Sequence, residues 1–229
     1  TGVQTCALPI WNADQGNAQA IKIVGNGVAP DDDQVYATWS IRNMDIADCL
    51  NGILCGTYGT ETLEAVTVEN CKFVDVDTTA AILACVFLSA AGSSSIRTLR
   101  VAGISTRNSA YQGVHVSTGA TATMGPVHIV DCNAYNWGTA SAGSYTWFGS
   151  SGNGAFGPIM LENITADGNS NGKTIVSATG QASTISRIKT INLSETNTTA
   201  PGLPLADTST SATFDFAIGN DFRVSGTRT

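Results

Sequence analysis

Apolar and polar residues alternate in short runs along most of the chain, and one eight-residue pattern recurs six times. Its order is apolar, any residue, apolar, any residue, then Asn or another residue that tolerates a turn, then apolar, any residue, apolar. The six segments are WSIRNMDI from Trp39, VTVENCKF from Val66, LRVAGIST from Leu99, VHIVDCNA from Val127, IMLENITA from Ile159 and SRIKTINL from Ser186. Alternation with a period of two predicts a short strand on each side of the fifth position.

The fifth position predicts a sharp bend. In the second segment Val66 and Val68 point inward, and Cys71 and Phe73 point inward again. The strict alternation is therefore interrupted at the two residues between Val68 and Cys71, where the chain must turn. Asn, Asp and Gly tolerate the left-handed conformation that such a corner needs. The predicted corner column reads Asn43, Asn70, Gly103, Asp131, Asn163 and Thr190.

A third, shorter apolar segment follows each of the first five repeats: GILCG, AAILACV, GVHVS, SYTWF and KTIVSA. The pattern resembles the right-handed parallel β-helix superfamily, which includes pectate-lyase-like enzymes, polygalacturonases and bacteriophage tailspikes. The resemblance implies an all-β fold, a right-handed single-stranded parallel β-helix of about six to seven coils with three short strands per coil. An ordinary β-sandwich would explain the alternation but not a repeated bend at a fixed position.

The first ten residues, TGVQTCALPI, have no place in the pattern and resemble the translation of a common sequencing adapter. We therefore expect residues 1–10 to lie outside the fold. The β-helix is predicted over 11–199, where AIKIVGNG from Ala20 resembles part of an earlier coil. Residues 200–229 form a C-terminal segment that is either a further coil or an oligomerisation segment.

Composition and charge limit the classes of partner that the chain can bind. Only 13% of the 229 residues are charged and the net charge is −7, with no stripe of Lys and Arg of the kind that binds nucleic acid. The longest nearly uncharged apolar run, 80–92, is too short to cross a bilayer. We expect neither a nucleic-acid partner nor a membrane helix.

The cysteines lack the spacing of a zinc site. Cys71 and Cys132 would occupy one inward column two coils apart, about 9.6 Å, which is too far for a disulfide. They are predicted to be buried small hydrophobic residues, and no metal site is predicted from Cys or His.

The superfamily resemblance implies a sugar-binding groove along the outer face of the third strand and the loops beside it. The outward row there is predicted to be Leu54, Leu83, His115, Thr146 and Val176. The candidate catalytic residues are Asp75, Asp77 and His115. The candidate substrate-binding residues are Asp48, Arg107, Tyr111, Tyr135, Trp137 and Trp147. Rings pack on sugar C–H faces, while carboxyl groups bind hydroxyl groups or move protons.

Each candidate has an alternative role. Asp75 and Asp77 fit a turn, Trp137 and Trp147 fit the interior or the loops, and His115 fits an ordinary surface histidine. Asp48, Asp75 and Asp77 are also candidates to hold one calcium ion through oxygen ligands, and no other cofactor is predicted. His128 is predicted to face outward elsewhere, without a role.

The sequence favours a polysaccharide-binding β-helix, of the phage tailspike or secreted surface type, located outside the cell or on a virion. If it is an enzyme, it is a glycoside hydrolase or polysaccharide lyase. A tailspike would be a homotrimer. GVHVST and RIKT resemble two polygalacturonase motifs, but no paired-Asp motif precedes His115, so that activity is not carried over. The alternatives are a non-catalytic fibre shaft or adhesin, and a monomeric secreted lyase or hydrolase.

Overall fold

The computed structural model describes residues 19–24, 35–48, 51–57, 59–76, 84–108, 112–136, 145–152, 154–169, 174–178, 184–185, 187–197, 205–207, 214–216 and 221–224. All regular elements in these ranges are strands. In chain order they are β1 Gln19–Val24, β2 Val35–Arg42, β3 Asp45–Ala47, β4 Asn51–Thr57, β5 Thr62–Glu69, β6 Lys72–Val74, β7 Ala84–Ala90, β8 Ser95–Ile96, β9 Leu99–Ala102, β10 Ser105–Arg107, β11 Gln112–Thr118, β12 Thr123–Met124, β13 Val127–Tyr135, β14 Tyr145–Gly152, β15 Ala155–Phe156, β16 Ile159–Asn169, β17 Thr174–Ala178, β18 Thr184–Ile185, β19 Ile188–Asn197, β20 Leu205–Asp207, β21 Phe214–Phe216 and β22 Asp221–Val224.

The strands stack in parallel, each on the equivalent strand of the next turn. One sheet has seven strands in the order β1-β4-β7-β11-β14-β17-β20, and the others wrap around the column as a fifteen-stranded sheet. Four successive turns are described almost continuously, over 51–76, 84–108, 112–136 and 145–169, and further strands pair at both ends. The all-β, right-handed parallel β-helix is therefore confirmed as the fold.

The predicted bend is present as the first corner. Asn43, Asn70, Gly103, Asp131 and Asn163 all have positive φ, between 53° and 61°. The sixth predicted member, Thr190, is wrong: it lies buried within β19, and Asn192 (φ 52°) forms the corner. The sixth repeat begins two residues later than predicted. The pattern did not reveal this, because a shift of two residues leaves the same alternation of inward and outward positions.

A second corner, which the pattern did not reveal, follows four of the short strands described after the first corner: β3, β6, β10 and the C-terminal part of β13. Its members also have positive φ and are Asp48, Asp75, Asn108 and Asn136. Side chains bond from turn to turn: Asn136 Nδ2 donates to Asn108 Oδ1 and Asn108 Nδ2 donates to Asp75 Oδ1, both at 2.8 Å. We call the short strands that follow the first corner the corner strands; they are β3, β6, β10 and the C-terminal parts of β13, β16 and β19.

Inward side chains from successive turns fill the column with aliphatic residues. Val66, Leu99, Val127 and Ile159 stack in register with at most 1% of their surface exposed. Phe73 fills space that a side chain at Gly52 would occupy, which explains the glycine there. The interior is a mainly aliphatic stack that holds the outer face in a fixed register.

The cysteine prediction is confirmed for Cys71 and Cys132, which are buried and free. Burial raises the pKa of the Cys132 thiol to about 12. Such a thiol carries no negative charge at neutral pH and packs as a small hydrophobic group.

Residues 1–10 lie outside the described part of the chain. In the segment predicted to be a further coil or an oligomerisation segment, β20 pairs with β17, and β21 and β22 pair with β19. The parallel pairing therefore continues into residues 205–224.

Candidate functional site

His115 occupies a buried position. Its neighbours Val114 and Val116 point into the core, so the imidazole lies on the outer side of the seven-stranded sheet, yet only 2% of the residue is exposed. Its ring stacks on Phe87, with centroids 5.1 Å apart and planes 3° apart. Burial lowers the pKa of His115 to about 4, so the ring is neutral at neutral pH. The ring is thus covered on this face, while the loop residues 77–83, 109–111 and 137–144, from which the rest of the groove was predicted, lie outside the described residues, so the groove stays a prediction.

The predicted outward row was also out of register. Phe87 and Gly149 pair with His115, and Leu54 and Ser177 continue the row. Val176 pairs with Phe148 instead, and Leu83 lies outside the described residues. The apolar run before β7 has no polar positions to fix its register, so the sequence did not show that the strand begins at Ala84.

The acidic candidates lie at the second corner. Asp48 and Asp75 are exposed and have φ values of 52° and 53°. Asp75 accepts the hydrogen bond from Asn108, so the turn role that the sequence offered for this residue is present. Among the described residues, no three or more His, Cys, Asp or Glu side chains are grouped to hold a metal ion.

Several candidates cannot be placed. Asp77, Tyr111 and Trp137 lie outside the described residues, and Trp147 lies in β14 without a described side chain. Their predicted contributions to a sugar site stay predictions.

Arg107 and Tyr135, two of the predicted substrate-binding residues, are brought together by the stacking of β10 on β13. The guanidinium carbon of Arg107 lies 5.9 Å from the centre of the Tyr135 ring, a cation–π distance. The ring is nevertheless open to water, because 58% of the surface of Tyr135 is exposed. Among the described residues, Tyr135 is the one large hydrophobic residue that is exposed.

We call the outward side of the corner strands the corner face. Polar side chains occupy the outward column next to that of Arg107 and Tyr135. Ser105 Oγ donates a hydrogen bond to Asn133 Oδ1 at 2.9 Å, and both residues pair in register beside Arg107 and Tyr135. Lys72 stands one strand before Ser105, and Thr165 one strand after Asn133. The face thus combines one aromatic platform with hydroxyl, amide and cationic groups at fixed spacing.

A second group of side chains, most of them charged, lies on the outer face of the strands before the first corner. Arg42 and Arg100 contact the two carboxylate oxygens of Glu69 at 3.1 and 3.2 Å. Arg100 Nη1 donates to His128 Nδ1 at 3.2 Å, and His128 Nε2 lies 3.5 Å from Glu162. A guanidinium group can only donate, so His128 Nδ1 is the acceptor in this contact.

This chain of contacts links five successive turns, and the spacing of the repeats could have revealed it once all six were aligned. Within this chain of contacts, the sequence alone places Arg42 beside Glu69, because both residues precede a predicted corner by one position. Each charged group has a partner on a neighbouring strand, so the arrangement is suited to binding the turns to one another.

No protein-family model matches the chain, and neither a curated protein nor a solved structure matches it. The likeness to β-helix proteins therefore rests on the repeated corner and the stacked parallel strands. Within its described part, the chain has no helix with the length and apolar character of a membrane span.

Proposed function

We propose that this protein binds a polysaccharide through the corner face. The observation that carries the proposal is the exposed ring of Tyr135, which lies beside Arg107 on a rigid stack of strands. Aromatic rings that stay exposed on a rigid surface offer the flat apolar platform on which the C–H face of a sugar packs.

The polar groups around the ring suit the rest of a sugar. Ser105, Asn133, Thr165 and Lys72 offer hydroxyl, amide and ammonium groups along the same face. The Ser105–Asn133 hydrogen bond and the Arg107–Tyr135 contact already hold these side chains. Little conformational freedom is therefore lost on binding, which favours affinity.

Binding, rather than cleavage, is what these residues favour. Of the three candidate catalytic residues, Asp75 bonds within the second corner and His115 is buried with a lowered pKa. Hydrolase or lyase activity stays a prediction that a reducing-sugar assay on any bound glycan tests. The homotrimer and the location on a virion or outside the cell likewise stay predictions from the resemblance.

The test is affinity electrophoresis of the whole chain through gels containing xylan, mannan, dextran, alginate or polygalacturonate. On a polysaccharide that retards the protein, Tyr135→Ala should weaken binding by about 1–3 kcal/mol, because the ring platform is lost. Tyr135→Phe should bind nearly as well as the unchanged protein because it keeps the ring.

Arg97→Ala is the control, since Arg97 is exposed and pairs with Glu64 away from the corner face. Unchanged binding by Tyr135→Ala, with unchanged melting temperature, would place the glycan site elsewhere. Retardation by none of the five polysaccharides would count against the proposed function itself.

A further inference from the structure

The corner face repeats along the axis of the β-helix. One outward position of each corner strand pairs with the same position of the next strand, from turn to turn. The column reads Asp45, Lys72, Ser105, Asn133, Thr165 and Ser194. Neighbouring members are separated by the strand spacing, about 4.8 Å.

All six members of this column carry a hydrogen-bonding group, and all six are exposed or half-buried. The outward column next to it is not polar on every strand. Along the axis it begins with the apolar residues Ala47 and Val74 and continues with Arg107 and Tyr135. Polar contacts are thus available on each of these six strands, whereas the aromatic platform described here stands on one of them.

The strand spacing is close to the length that one sugar unit occupies in an extended glycan chain. A linear glycan that crosses the strands, parallel to the axis, can therefore place one unit over each strand without bending. The polar column continues on both sides of Tyr135, to Asp45 in one direction and to Ser194 in the other. Such a surface contacts the middle of a chain and needs no chain end.

We propose that the corner face binds an internal segment of a linear, extended polysaccharide, one sugar unit per strand, with the unit over Tyr135 as the anchor. This inference rests on the proposed function and adds to it the direction, the register and the minimum length of the ligand. Lys72, two strands from Tyr135, then contacts a unit that a short oligosaccharide anchored at Tyr135 does not reach.

The experiment measures affinity for linear oligosaccharides of two to eight units prepared from a polysaccharide that binds in the electrophoresis panel. Affinity should rise with each added unit up to about six, the number of strands in the column, and then level off. Lys72→Ala should leave binding of the disaccharide unchanged and weaken binding of the hexasaccharide about fivefold, the effect of one lost hydrogen bond. Tyr135→Ala should weaken binding at every length.

Arg97→Ala is the control for Lys72→Ala, because it also removes one positive charge but lies outside the corner face. An affinity that is the same at all lengths, or a Lys72→Ala loss that is equal for the disaccharide and the hexasaccharide, would overturn the axial arrangement and leave glycan binding standing. If no polysaccharide of the panel binds, the axial arrangement falls together with the proposed function.

Discussion

The imidazole of His115 lies against the Phe87 ring with almost no surface exposed to water. A charged imidazolium is poorly solvated there, and the pKa of His115 falls from its usual 6.5 to about 4. Between these two pH values the unfolded chain binds a proton at this side chain and the folded chain does not. The contribution of neutral His115 to stability is complete above pH 6.5 and is lost as the pH falls towards 4.

This difference predicts an acid-sensitive fold. The free energy of unfolding should decrease by about 3 kcal/mol between pH 6.5 and 4 on account of His115 alone. In His115→Phe the ring stack is kept and the proton site is removed, so this part of the decrease should disappear. Urea unfolding of both proteins at several pH values measures it, and carboxyl groups common to both cancel in the comparison. Equal pH dependence in the two proteins would show that His115 is not buried in this way.

The residues at the corners explain which parts of the fold the sequence could predict. The Asn and Gly residues predicted the first corner, because few other residues adopt positive φ at low cost in free energy. The second corner is not evident from the sequence, because Asp48 and Asp75 also suit an acidic site; in the structure both adopt the positive φ of a corner. Tyr135 was predicted as a sugar contact from its residue type, but its exposure and its contact with Arg107 required the stacked register.

At the scale of the structural element, the first corner is stabilised by bonds between side chains of successive turns. Asn163 Nδ2 donates to Asp131 Oδ1, and Asn192 Nδ2 donates to Asn163 Oδ1, both at 2.9 Å. Asn163 therefore contributes twice, through its amide group and through its tolerance of positive φ.

Two substitutions separate these contributions. Asn163→Gly should lower the free energy of unfolding by about 1–2 kcal/mol, because the two hydrogen bonds are lost while the φ stays accessible. Asn163→Ala should cost about 1–2 kcal/mol more, because alanine is strained in the left-handed conformation. Thermal or urea unfolding measures both. Equal losses in the two variants would contradict the positive φ at this corner.

The strands of the seven-stranded sheet show why the predicted outward row was out of register. The stretch around β7 is a nearly unbroken apolar run, which predicts a strand but not which residue faces outward. The pairing found in the structure brings Phe87 beside His115, and Phe87 is half-buried while His115 is buried. The corner strands, by contrast, have clear alternation, and there the sequence-based register agrees with the structure from Asp45 to Thr165.

At the scale of the whole molecule, one repeat produces both the core and the proposed binding face. Inward positions stack into a column of aliphatic side chains, while the same register places Lys72, Ser105, Asn133 and Thr165 in line outside. A rigid column of this kind can hold widely separated contacts at fixed distances, which suits a long polymer better than a small ligand.

Cross-linking tests this register most directly, since the core, the corners and the corner face all depend on it. Cysteines placed at Ser105 and Asn133 sit on directly paired positions, about 4.8 Å apart at Cα, within the range of a disulfide. Cysteines at Ser105 and Thr165 sit two strands apart, about 9.6 Å, which is too far. Mild oxidation followed by peptide mass spectrometry should detect a disulfide in the Ser105→Cys/Asn133→Cys protein and none in the Ser105→Cys/Thr165→Cys protein, with single-cysteine variants as controls. A disulfide in the second protein, or in neither, would contradict the stacked register.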